Sequence, residues 1–148
     1  MDALELLRRD HQKVKGLFQQ AQAAQDAAQR KQIFDQIDTE LEIHAHIEET
    51  VFYPAVEEHE ELKDMVEEAL DEHEDVKTLL EEIEDLDVDD RAEFDSKLKE
   101  LMDNVEHHVQ EEEGEMFPKV LQVMDKDVLQ QLGEELESAK GKQSSEAI

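Results

Sequence analysis

Cysteine is missing from all 148 residues. Its absence removes disulfides, zinc–thiolate sites, iron–sulfur clusters and thiol nucleophiles together. Tryptophan is missing too, and aromatic residues make up 4% of the chain, with a single tyrosine. Only four glycines and two prolines interrupt it, which leaves a helix-forming composition with few turn residues. Positive charge is scarce: 15 Lys and Arg stand against 43 Asp and Glu, a formal net charge of −28. That charge repels nucleic acid and anionic membranes, so neither is an expected partner. No apolar run approaches the roughly 20 residues of a membrane span, and no signal peptide opens the chain. The cytoplasm is therefore the expected compartment. No phosphate-binding glycine loop or nucleophile elbow is present, and the acidic run Asp85 to Asp90 lacks the glycine and glutamate of a calcium loop.

What the chain does contain is four apolar stripes with 3-and-4 spacing. The first reads Leu4, Leu7, His11, Val14, Phe18, and the second Ile37, Leu41, His44, Glu48, Val51, Ala55. The third reads Leu62, Val66, Ala69, His73, Val76, Leu80, Ile83, and the fourth Phe94, Leu98, Leu101, Val105, His108, Glu112. Breaks near Asp26 to Gln32, at His59 to Leu62 and at Asp85 to Asp90 are short, which makes sequential helices antiparallel neighbours. The expected fold is all-α: an up-down-up-down four-helix bundle over residues 1–136. A short extra C-terminal helix at about Asp127 to Leu136 and a flexible polar tail over 137–148 complete it.

Each stripe carries a histidine where a leucine belongs, and two carry a glutamate as well. Polar groups on a buried face are costly unless something satisfies them. In the second and fourth helices they fall into one repeated motif, H-x-x-x-E-E-x-x-x-x-P: His44, Glu48, Glu49 and Pro54, then His108, Glu112, Glu113 and Pro118. A helix turns about 100° per residue, so each His stands one turn from its Glu on a single face. The first and third helices repeat too, with Asp10-His11 and Val14-Lys15 matching Glu72-His73 and Val76-Lys77 at an offset of 62 residues. Two equivalent hairpins imply a pseudo-twofold arrangement with ligands meeting at the middle. Mixed imidazole and carboxylate donors suit iron, manganese or zinc.

In this ordered set the chain resembles the haemerythrin family (HHE cation-binding domains) from about Leu4 to Val123. The resemblance implies a non-haem di-iron centre, two iron ions with an oxo or hydroxo bridge. His11, His44, His73 and His108 would be terminal ligands, and Glu48 and Glu112 would bridge. It also implies binding of oxygen, or of a related small molecule such as nitric oxide or peroxide. The oxygen carriers of the family have a fifth histidine one turn after the third-helix His; here that position is Lys77. Two six-coordinate ions then keep two free positions, which favours redox chemistry, with a separate redox partner, over simple carriage. Iron handling and a structural metal are the remaining classes.

Around this core set, Glu49, Glu111 and Glu113 read as solvated helix-face residues, with bonding of a ligand imidazole from behind by Glu49 or Glu113 as the alternative. His46 and His107 point away from the stripe, and His59 lies too far along the axis. Tyr53 sits at a poor angle to Glu48 on an ideal helix and is not expected to reach a metal.

Overall fold

A computed structural model of the chain describes residues 1–87 and 89–146. Position 88, within the third expected break, and 147–148, at the end of the expected tail, lie outside the described residues. Helix α1 spans Ala3–Ala23 and α2 spans Ala27–Ile47, continued by a π-helical turn at Glu48–Phe52 and by α3 at Tyr53–Val56. Helix α4 covers Glu60–Glu84. Helix α5 covers Arg91–Glu111 and likewise runs through a π-helical turn, Glu112–Met116, into α6 at Phe117–Val123. Helix α7 covers Lys126–Glu146. The rods α1, α2–α3, α4 and α5–α6 form the bundle, in which α1 packs on α2 and α4 packs on α5. Among the described residues there is no strand.

The starts of the helices follow from acidic caps, whose oxygens satisfy otherwise unpaired first-turn N–H groups. Asp2 accepts from the Glu5 amide, Asp26 from Ala28, and Asp90 from Glu93. The prolines do not end their helices. Pro54 and Pro118 lack an amide hydrogen, and each follows a π turn in which the amide of residue 53 or 117 reaches back five residues, to the carbonyl of Glu48 or Glu112. The extra residue in that turn is what shifts the helical phase beyond it.

Two apolar clusters fill the bundle. One end holds Leu4, Leu7, Phe52, Leu62, Phe117 and Leu136, and the other holds Phe18, Phe34, Ile37, Leu80, Phe94 and Leu101. Between them lies a polar layer with buried Asp10, His11, His44, Glu48, His108 and Glu112.

Helix α7 is longer than the expected short helix, and the segment expected to be a polar tail is helical to Glu146. Its inner face explains this. Leu129, Leu132 and Leu136 enter the first apolar cluster, Ala139 packs beside them, and Lys140 forms an ion pair with buried Asp10. Local composition read as frayed is held by tertiary contact. Close approach at Gly133 permits this docking: a Cβ there would lie 2.2 Å from the Met1 carbonyl oxygen. At Gly16 a Cβ would meet nothing within 4 Å.

Opposite signs follow for one substitution at two sites. Gly16→Ala should stabilise the chain by up to about 1 kcal/mol through helix propensity. Gly133→Ala should destabilise it by about 1–3 kcal/mol through overpacking, despite the same propensity gain. Denaturant unfolding measures both.

A second prediction concerns Asp38, whose carboxyl is pushed up to about 6 by partial burial and by the nearby carboxylates of Glu42, Glu84 and Asp35. The folded value lies above the unfolded one, so stability falls as pH rises from about 4 through 6. Asp38→Asn should raise stability by about 1 kcal/mol at pH 8, after allowance for solvent screening, and hardly at all at pH 4.

Candidate metal centre

The polar layer is built one helix at a time. His11 comes from α1, His44 from the last turn of α2, His73 from α4 and His108 from the last turn of α5. Glu48 and Glu112 open the two π turns, one helical turn beyond their histidines. The six residues expected from sequence are brought together. Donor atoms of His11, His44, Glu48 and Glu112 all lie within 4.8 Å of one another, as do those of Glu48, His73 and His108. The rings pair edge to face, with centroids 4.9 Å apart for both His11–His44 and His73–His108.

Glu112 reaches both halves: Oε1 lies 3.3 Å from His11 Nε2 and Oε2 lies 3.2 Å from His108 Nε2. Glu48 Oε1 lies 3.1 Å from both His44 Nε2 and His73 Nε2. Yet His11 Nε2, His44 Nε2, Glu48 Oε2 and Glu112 Oε1 are buried without a hydrogen-bond partner. Buried polar atoms are nearly always satisfied. Four lone-pair-bearing atoms converging without partners form a donor set that fits metal cations. His11 with His44, or His73 with His108, would hold a metal together with these carboxylates.

Behind each imidazole stands a carboxylate on Nδ1, which fixes the ring and turns Nε2 inward. His11 is held by Glu113 at 2.6 Å and His73 by Glu49 at 2.8 Å, so these two glutamates face the site and not solvent, the alternative to their expected place. His44 is held by Asp10 at 2.9 Å and His108 by Glu72 at 2.7 Å. Sequence reasoning gave Asp10 and Glu72 no role, although the repeat signalled them: each directly precedes a stripe histidine. Asp10 differs in having a cation of its own, Lys140 from α7.

Electrostatics describe the layer with no cation in it. Burial disfavours a charged His44, but the Glu48 and Asp10 carboxylates outweigh it and push the imidazole up to about 10. His73 and His108 are raised against the same burial penalty, each through hydrogen bonds to its carboxylate partners, Glu48 prominent among them. Glu48 is held well below the ordinary range in spite of complete burial, chiefly by His44. Imidazolium protons thus balance the carboxylates where cations would otherwise do so. Metal uptake has to displace them.

Tyr53 is the residue that sequence reasoning placed wrongly. It is 1% exposed, and its hydroxyl donates to Glu112 Oε2 at 2.7 Å. The phenol oxygen of Tyr53 also lies 3.2 Å from Glu48 Oε1, 3.2 Å from His73 Nε2 and 3.5 Å from His108 Nε2. An ideal helix would turn Tyr53 away; the π turn supplies the missing rotation. Its counterpart in the other half, five residues beyond Glu112, is Phe117, which stacks on the His11 ring with centroids 6.5 Å apart. The site is therefore asymmetric, with phenol on one side and phenyl on the other. Exposed His46 and His107 lie outside the six, as expected. His107 instead pairs with Glu111 at 3.0 Å, on the outer surface.

The model of the hemerythrin HHE cation binding domain matches residues 2–120. The crystal structure of a hemerythrin HHE cation binding domain-containing protein from Mycobacterium kansasii superposes with a TM-score of 0.89, at 26% identity, over 99% of this chain and 90% of that one. A DNA nickase from Nostoc sp. (strain PCC 7120) is 32% identical over 155 residues, covering 96% of this chain and 40% of that protein. The chain thus spans less than half the length of this curated relative. The domain match runs from the cap of α1 into α6 and so takes in every rod that feeds the polar layer: the chain belongs to the hemerythrin HHE cation binding domain family, and it is a metal-binding protein of that kind.

Proposed function

We propose that the chain holds two iron ions and uses them on a small oxidant, peroxide or oxygen, rather than carrying oxygen reversibly. The observation that supports this most is the convergence of four buried, unpartnered donor atoms, on carboxylates that reach both halves of the site. Six imidazole and carboxylate ligands without a thiolate suit iron, though zinc or manganese fits the same donors. When bound, an iron pair supplies two adjacent one-electron centres.

Tyr53 favours redox chemistry over carriage. Its phenol stands among the donors of the His73–His108 half, where it can serve as a hard anionic ligand of the kind that favours the ferric state. Burial, Glu112 and Glu48 hold that phenol well above its ordinary range, so its ionisation depends on a cation replacing the proton it now shares with Glu112. Phe117 offers no donor, which leaves the His11–His44 half for the incoming molecule. Peroxide needs no protein partner in such a reaction, because one molecule oxidises and a second reduces; oxygen or nitric oxide would require a separate redox partner. The curated relative's DNA nicking is not carried over here, since a charge of −28 repels a phosphate backbone. Among the described residues, no helix is long and apolar enough to cross a membrane.

Metal titration against a chelator checks the ligand assignment. His44→Ala and Glu48→Ala should lose more than the roughly 10–100-fold expected of a supporting-residue change such as Asp10→Asn. His46→Ala should bind as the parent does. Equal losses from His44→Ala and His46→Ala would overturn the assignment.

The visible spectrum tests the role of Tyr53. The oxidised, iron-loaded chain should show a phenolate-to-iron charge-transfer band that Tyr53→Phe abolishes, and it should consume peroxide over many turnovers. A reversible, oxygen-dependent band with only stoichiometric peroxide loss would establish a carrier instead.

A further inference from the structure

The four imidazoles close one side of a cavity of about 40 Å³. Most of the remaining wall is aliphatic: Val14, Leu41, Ala45, Val76, Val105 and Val109. This is more room than the roughly 10–15 Å³ a single water needs. Asp10, the remaining lining residue, is already paired with His44 and Lys140, so an ion entering there would pay a heavy desolvation penalty. A small neutral molecule fits that description, but the cavity lies inside the bundle and needs a way in.

Two surface grooves border it. The groove between α2 and α4, about 550 Å³, shares Leu41, Ala45, His73 and Val76 with the cavity. The groove between α1 and α5, about 360 Å³, shares His11, Val105 and Val109. The internal repeat relates the two. An offset of 64 carries Leu41 to Val105 and Ala45 to Val109, and an offset of 62 carries Lys15 of the smaller groove to Lys77 of the larger. The same wall is thus built twice, with different side chains. Leu41 is a methylene longer than Val105 but is buried in the apolar cluster, whereas Ala45 is half-buried and borders both spaces. Where the α1–α5 wall has valine, the α2–α4 wall has a single methyl group. The rim of the larger groove carries Glu42, Glu49 and Glu74 beside Lys77, which disfavours anions at the mouth.

We propose that small uncharged molecules reach the site through the α2–α4 groove and that Ala45 is the gate between groove and cavity. This rests on the reading that the site takes a small molecule, and it adds the route and the selectivity for neutral species. Oxygen, nitric oxide and undissociated hydrogen peroxide belong to the admitted class. A gate lies on the path and not at its end, so it alters entry and exit together and leaves the equilibrium alone.

Two probes test this. Nitric oxide binding to the iron(II)-loaded chain is followed by stopped-flow absorbance, and xenon exchange with the metal-free chain by xenon NMR. Ala45→Val, which copies the counterpart residue, should slow entry and exit alike by about threefold or more, a rise of under 1 kcal/mol in the barrier, with Kd unchanged. Ala45→Gly should speed both, and Val109→Ala should leave them within about twofold. A large acceleration by Val109→Ala with no response to Ala45→Val would overturn the proposal in favour of the α1–α5 groove. No response to either would overturn it outright. If xenon exchange follows Ala45 while nitric oxide never binds the loaded chain, the route stands and the small-molecule reading of the metal site falls.

Discussion

Everything in this bundle is arranged around one electrostatic constraint: two fully buried carboxylates, Glu48 and Glu112, facing four imidazoles between two apolar clusters. An isolated carboxylate would not remain ionised at that depth. Here the carboxylates and imidazoles settle one another only in part, because several inward atoms lie close together without hydrogen-bond geometry. The apolar clusters set the helix spacing, and the layer between them is left with a need that cations meet. Folding and metal chemistry are thus coupled at one level of the bundle.

Internal repetition builds the layer, and departures from repetition give it a direction. His11 with Glu113 repeats as His73 with Glu49, and His44 with Asp10 repeats as His108 with Glu72. Against that background three differences stand out. Tyr53 stands where the repeat has Phe117, Ala45 stands where the repeat has Val109, and α7 supplies Lys140 to Asp10 with no equivalent at Glu72. Each acts on one half of the site, so the two halves differ in donor, in approach and in charge.

The fold and the six converging residues were legible because both rest on the 3.6-residue period. A histidine in the place of Leu or Val on a stripe announces its own burial, as His11, His44 and His108 show. Tyr53 was illegible for the same reason: the period fails inside the π turn, and phase counted from Glu48 then points the wrong way. Pro54 marks the site of the irregularity but not its size. The tail was misread because its order comes from outside it. Nothing in Ser138 to Lys142 announces that Lys140 will find Asp10, a residue 130 positions away. Asp10 and Glu72 were visible in the repeat, but a carboxylate in so acidic a chain carries little information until its distance to an imidazole is known.

The charge around the layer also bears on how strongly each half can donate to a cation. Each imidazole is backed by a carboxylate, which makes it a stronger donor and favours a more oxidised metal. At His73, His11 and His108 the backing carboxylates have no Lys or Arg partner among the ion pairs of the described residues. At His44 the pair Asp10–Lys140 withdraws part of that negative charge, and both groups hold Asp10 below the ordinary carboxylate range against the effect of burial. The His73–His108 half receives the phenol in addition. Donor strength is therefore greatest on the Tyr53 side and weakest at His44. A cation held beside His44 would meet a weaker donor set than one held beside His73 and His108, and Phe117 adds no donor on its side. The repeat alone would make the two halves of the layer alike; Tyr53, Phe117 and Lys140 make them unequal in the donors they offer a cation.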